Sequence, residues 1–198
     1  MRAGAGAGPD AAALRGAAAP AARELERDTG SEGERAARYI RALFRHAGLA
    51  DGAWDAAQAA LYAAHRERHL WSGGRSDTSA ALARLHHAGV RLGVVSNSDG
   101  RVAHALAEAG LAQHFDVIVD SRAAGVEKPD PRIFHLALDQ LGVAPGDALY
   151  VGDVYEVDVV GARSAGLSAA LVGGEPVPGV LCATSVAELV DILLGAST

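Results

Sequence analysis

Two carboxylates stand at the tip of an apolar run in ALYVGDVYEVDVVGARSAGL, residues 148–167: Asp153 closes the run after Gly152, and Asp158 follows it. A buried lone carboxylate is costly unless a metal, a cation or hydrogen bonds compensate it. Two other stretches supply compensating groups. VVSNSDG places Ser96 and Asn97 after a second apolar run, and GVEKPDPRIF supplies Lys128. A serine hydroxyl donates to an anionic oxygen, and an ammonium neutralises it. Hard carboxylate oxygens suit Mg²⁺, which takes one or two carboxylates together with waters and phosphate. Asp153 and Asp158 are therefore the candidate metal ligands, and Ser96, Asn97 and Lys128 the candidate binders of a phosphorylated substrate. Such a set provides positioning and charge neutralisation, which are the main demands of phosphoryl transfer.

The elements that must bring these residues together are legible as a rhythm. From Asp77 onward, helical patterns alternate with short apolar runs: RLGVVS, DVIVD, ALYVG and AALVG. Pro131 suits the first turn of the helix after GVEKPD, and Ser185 with Glu188 forms a capping pair for the last helix. Strands alternating with helices of this length predict βαβ units and a parallel sheet, an α/β fold of Rossmann-like type. In such a sheet, ligands bind beyond the carboxyl ends of the strands. Ser96, Lys128 and Asp153 all fall at that rim.

Upstream the chain reads differently. Residues 1–30 are a low-complexity Ala/Gly-rich N-terminus whose alanines favour helix. Residues 31–74 read as a helical pair: a capping box at Ser31 and Glu34 opens a stripe of Tyr39, Ile40, Leu43 and Phe44, and a second helix runs through Trp54 and Leu61. Ser72-Gly73-Gly74 closes this segment, and residues 75–198 form the α/β core.

Bulk properties exclude several classes. The net charge of −6 leaves no basic footprint for nucleic acid or for an anionic membrane. Cys182 is the single cysteine, so there is neither a disulfide framework nor a cysteine zinc cluster. No apolar run reaches membrane-spanning length, and the expected location is the cytoplasm. His65 and His69 lack the glutamate placement of a zinc-protease helix, so they read as a solvated face.

VVSNSDG, GVEKPDPRIF and YVGDVYEVDVVGARSAG resemble the second, third and fourth motifs of the haloacid dehalogenase-like hydrolases, in particular their phosphatase-type branch with a helical cap. The resemblance covers residues 77–172 in the family's order. It implies that Ser96 binds the transferring phosphoryl group, that Lys128 steadies phosphate and nucleophile, and that Asp153 ligates Mg²⁺ with Asp158 assisting. It further implies a small phosphorylated metabolite as substrate, and residues 31–71 as part of the cap that selects it. The family's nucleophile, an aspartate in a first motif after a central strand, has no counterpart here beyond a faint echo at Asp28-Thr29-Gly30. The chain thus reads as a truncated product or a degenerate paralogue. The central first strand, expected between the strands ending in Ser96 and Asp153, is missing. The alternative reading is a non-catalytic remnant that binds phosphate or metal as a module or subunit.

Overall fold

A computed structural model of the chain describes residues 8–25, 32–67, 76–173 and 176–195. The chain divides into two compact units, Met1–Arg68 and His69–Thr198. The echo at Asp28–Gly30, the capping serine Ser31 and the Gly-rich break at Ser72–Gly74 lie outside the described residues.

In the first unit, α1 (Ala11–Glu24) packs on α2 (Glu32–His46). Alanine dominates α1, and its small side chains allow Ala21 and Leu25 to settle against Ala42, Tyr39 and Leu43. The Glu24 carboxylate holds the far end of the pair by accepting from Arg45 and, at 3.0 Å, from His46. α3 (Trp54–Glu67) follows; Trp54 meets Phe44 edge to face at 6.3 Å, with the Arg41 guanidinium 5.8 Å from its centroid. The alanine-rich start of the chain is thus the direct partner of α2.

The second unit opens with α4 (Ser76–His87), which leads into β1 (Gly93–Ser96). α5 (Val102–Glu108) carries the chain to β2 (Val117–Asp120), and the short α6 (Ser121–Ala124) follows directly. Next come α7 (Pro131–Leu141), β3 (Leu149–Gly152), a single π-helical turn at Tyr155–Val159 and α8 (Val160–Ser164). β4 (Ser168–Val172), β5 (Leu181–Ala183) and α9 (Val186–Leu193) complete the unit. Local chemistry sets several ends. Asp130 accepts from the Arg132 amide with Pro131 at the first position of α7, and Gly142 ends that helix in the left-handed region at φ 64°. Ser185 caps α9 by accepting from the Glu188 amide at 3.1 Å, as its sequence predicts.

All strand pairs are parallel, but they form two sheets. β1 pairs with β2 from Gly93 opposite Val117 to Ser96 opposite Asp120. β3, β4 and β5 form the other sheet in that order. The division falls between the strands ending in Ser96 and in Gly152. One side chain spans this place: the Tyr150 hydroxyl donates to the Val95 carbonyl at 3.0 Å. A single core still serves both sheets, because α7 turns Ile133, Phe134, Ala137 and Leu138 inward onto Val117 and Val119 of β2 and Ala169 and Leu171 of β4. β5 escapes sequence reading; it is three residues long and framed by Pro and Gly.

Candidate functional site

Asp120, at the end of β2, is 9% exposed and organises the loop that follows Ser96. Its carboxylate accepts from the amides of Gly100 at 3.1 Å, Val102 at 3.4 Å and Arg122 at 3.0 Å. The neighbouring Ser121 hydroxyl accepts from the Ser98 amide at 3.0 Å and donates to its carbonyl at 3.3 Å. Five bonds from two adjacent side chains therefore fix residues 98–102 and α6 relative to the tip of β1. Sequence reading passes over Asp120; the signal available is a carboxylate ending the run DVIVD, next to the Ser96 strand.

Asn97 faces across to the third motif. Its side-chain oxygen accepts from the Lys128 amide at 2.8 Å, and its side-chain nitrogen donates to the Lys128 carbonyl at 3.0 Å. Both ends of the Asn97 amide are thereby committed to holding the Lys128 backbone. Asn97 thus positions the lysine backbone.

Lys128 is the only lysine in the chain, against 17 arginines. Arginine and lysine differ in shape and hydration: the ammonium is a compact point charge with three donors, the guanidinium a planar fork. A chain that uses arginine everywhere else keeps lysine at the centre of this rim. The ammonium donates to Asp158 Oδ1 at 2.8 Å and to the Tyr150 hydroxyl oxygen at 3.0 Å, with the two charged side chains 11% and 3% exposed. Burial works against the Lys128 charge, but the Tyr150 oxygen and the Asp158 carboxylate outweigh it and hold the ammonium above its ordinary range. Burial pushes the Tyr150 phenol up to about 12, so at neutral pH it keeps the proton it donates to Val95.

Asp158 reaches this position through two local features. The π-helical turn at Tyr155–Val159 widens the start of α8 and carries the Asp158 side chain back under the end of β3. Gly152 leaves the space: a β-carbon there would overlap the Asp158 side chain. The second carboxylate oxygen accepts from the amides of Asp153 at 3.0 Å and Val154 at 2.9 Å. Both oxygens are thus engaged, one by Lys128 and one by the backbone that presents Asp153.

Asp153 is exposed at the rim, yet protein crowds its inner side. That burial, followed by the nearby Asp158 charge, pushes its pKa up. A carboxylate whose ionised form is disfavoured by its surroundings is a place where a cation relieves the charge. With Mg²⁺ able to bind through one carboxylate, waters and phosphate, Asp153 fits such an ion as its protein ligand. Among the described residues no group of three or more His, Cys, Asp or Glu forms a metal cage. Asp158, expected from sequence to support the metal, holds Lys128 and the backbone that presents Asp153.

The structure therefore joins four of the five sequence-selected residues directly: Asn97 to Lys128, Lys128 to Asp158, and Asp158 to the Asp153 amide. Ser96 stands between Val95, bound by Tyr150, and Asn97, bound to Lys128. The rim carries one fixed ammonium, one hydroxyl and one exposed carboxylate on interlocked backbone.

A family model described as hydrolase, haloacid dehalogenase-like hydrolase, matches residues 9–166. The chain belongs to the haloacid dehalogenase-like hydrolase family. It is 45% identical over 95 residues to haloacid dehalogenase-like hydrolase domain-containing protein 3 of Bos taurus, covering 48% of this chain and 38% of that protein. It is 42% identical over 94 residues to a phosphoserine phosphatase of Thermus thermophilus, covering 47% and 38%. Among solved structures, a haloacid dehalogenase-like phosphatase from Thermococcus onnurineus superposes with a TM-score of 0.57 at 32% identity, over 60% of this chain and 57% of that one. The chain thus spans well under half the length of these two curated relatives. No described helix is long and apolar enough to cross a membrane.

Proposed function

We propose that this chain binds and processes a small phosphate monoester with Mg²⁺, as a phosphatase-type member of its family. The observation that carries the reading is the lone lysine, held by Asp158, which also binds the Asp153 amide, and tied by its backbone to Asn97, the residue after Ser96; the phosphatase named among its relatives supports it. In this reading Ser96 donates its hydroxyl to one phosphoryl oxygen, and the Lys128 ammonium neutralises another. Asp153 would hold Mg²⁺, which supplies charge neutralisation and a template for the phosphate when bound. Asn97, Asp158 and Asp120 do not touch substrate; they fix Lys128, the Asp153 amide and the loop after Ser96. None of these groups attacks phosphorus. Transfer to an attacking carboxylate therefore requires a group beyond this rim, and turnover by the rim alone is slow attack by water on a positioned phosphate.

The test is release of inorganic phosphate from a panel of small monoesters by wild type and Asp153→Asn, with Mg²⁺ and with chelator. The expected result is slow release that needs Mg²⁺ and is lost in the variant. Release that ignores both chelator and substitution would overturn the metal assignment. No release, coupled with no phosphate binding, would overturn the phosphatase reading in favour of a family member whose rim serves other chemistry.

A further inference from the structure

We infer that Tyr150 is a positioning residue that aims the Lys128 ammonium, leaving one of its three N–H bonds pointed at the ligand oxygen. An ammonium has three donors and no acceptor. Among the described residues two of these donors are taken, by Asp158 Oδ1 at 2.8 Å and by the Tyr150 hydroxyl oxygen at 3.0 Å. The group turns only about its Cε–Nζ bond, and two acceptors hold that rotation more tightly than one, which keeps the third N–H in a single direction. Asp158 alone would hold that rotation with one hydrogen bond, and the group could turn about Cε–Nζ whenever that bond lets go.

Tyr150 is itself built to be a rigid acceptor. Its single hydroxyl proton goes to the Val95 carbonyl at 3.0 Å, so toward Lys128 it presents lone pairs only. Its ring stands edge to face on Phe134, with centroids 4.9 Å apart and planes at 84°, and Phe134 is 1% exposed. The hydroxyl therefore meets β1 and Lys128 at once while the ring is set in the core. Asn97 holds the other end of the lysine by its backbone. Each end of the side chain is tied to a different element, which is the arrangement that preorganises a charge for a developing anion. The hydroxyl role of Tyr150 is visible only in three dimensions.

Because Lys128 is the only lysine, ¹⁵N-lysine labelling of the full chain gives one side-chain ammonium signal. The experiment measures hydrogen exchange of that ammonium at neutral pH in wild type, Tyr150→Phe and a destabilised control, Leu189→Val, whose site is in the separate cluster under α9. Inorganic phosphate with Mg²⁺ is then titrated into each protein. The expected result is exchange about tenfold faster, and phosphate binding about tenfold weaker, in Tyr150→Phe only, the scale of one hydrogen bond to a charged group. Exchange in Tyr150→Phe equal to that in the control would overturn the proposal and leave Tyr150 a structural tie. The phosphate arm rests on the reading of the rim given above, whereas the exchange arm does not. Fast exchange in the variant together with a wild type that ignores phosphate would support Tyr150's hold on Lys128 and sink the phosphate reading. If Tyr150→Phe does not fold, wild type grown on 3-fluorotyrosine replaces it. A weaker phenol acceptor must then speed the ammonium's exchange, and an unchanged rate would count against the proposal.

Discussion

Gly152→Ala should be among the most damaging small substitutions in the chain, although it adds one methyl group. Gly152 does not occupy the left-handed backbone region, so alanine meets no backbone penalty there. The cost comes from Asp158, whose side chain occupies the volume the methyl group needs. The carboxylate must move, and with it go the 2.8 Å bond to Lys128 and the bonds of 3.0 and 2.9 Å to the amides of Asp153 and Val154. The two amides lie at exposed residues where water replaces the lost acceptor. The Lys128 ammonium does not have that option, since its side chain is 11% exposed. Leaving a buried charge unpaired costs about 3–5 kcal/mol, more than the about 1–3 kcal/mol of ordinary overpacking. For a chain of this size that corresponds to a fall in Tm of about 6–20 °C. Urea unfolding followed by circular dichroism measures the loss, with an unchanged m-value showing that the two-state comparison holds. The same substitution in an Asp158→Ala background should cost less than about 1 kcal/mol, because the clash and the ion pair are already gone. A single-variant cost below about 1 kcal/mol, or a full cost that persists in the Asp158→Ala background, would refute the reasoning.

Asp153→Asn should raise stability at neutral pH in the absence of divalent ions. The fold pushes this acid's pKa above its ordinary 3.8, so its ionised form is disfavoured in the folded state. Wild-type stability then falls as pH rises from 3.8 through the folded value, and the advantage of the variant should vanish below 3.8; thermal melts across acidic pH check both signs. At the alkaline end, Lys128 is held above 10.5 and Tyr150 is pushed from 10.0 up to about 12, so the folded state keeps protons that the unfolded chain releases. Stability present below pH 10.0 should therefore drop steeply above it, and urea midpoints in Tyr150→Phe should fall less steeply over the same range. Asn97→Ala removes both backbone bonds to Lys128 and should cost about 1–3 kcal/mol in urea unfolding. An Asn97→Ala variant as stable as wild type would show that the clamp carries no weight.

The parts that sequence makes legible are those written in periodicity. GVVS, VIVD, LYVG and SAALV are strands because β-branched and apolar residues run between Gly, Asp and Ser stops, and helical patterns separate them. The parallel α/β layer and the family follow from that rhythm and the three motifs. Other features depend on what the fold brings together. Asp158 stands five residues after Asp153, and only the π-helical turn makes that spacing deliver its carboxylate to Lys128 rather than outward beside Asp153. The bonds of Asn97 to the Lys128 backbone join residues 31 apart in sequence, a pairing no local pattern announces. Tyr150 passes unremarked within the run ALYVG, because a strand pattern says nothing of the reach of its hydroxyl. Alanine-rich α1 has almost no apolar stripe to predict its contact with α2, which forms because small side chains let two helices approach.

If Ser96, Lys128 and Asp153 form one phosphate-binding rim, as proposed, the single lysine must carry phosphate binding. Calorimetric titration of inorganic phosphate in the presence of Mg²⁺, on wild type and Lys128→Met, measures this, with folding of the variant checked by circular dichroism. A saturable heat is expected in wild type, weakened when Mg²⁺ is omitted and abolished in the folded variant. Equal heats from wild type and Lys128→Met would contradict it.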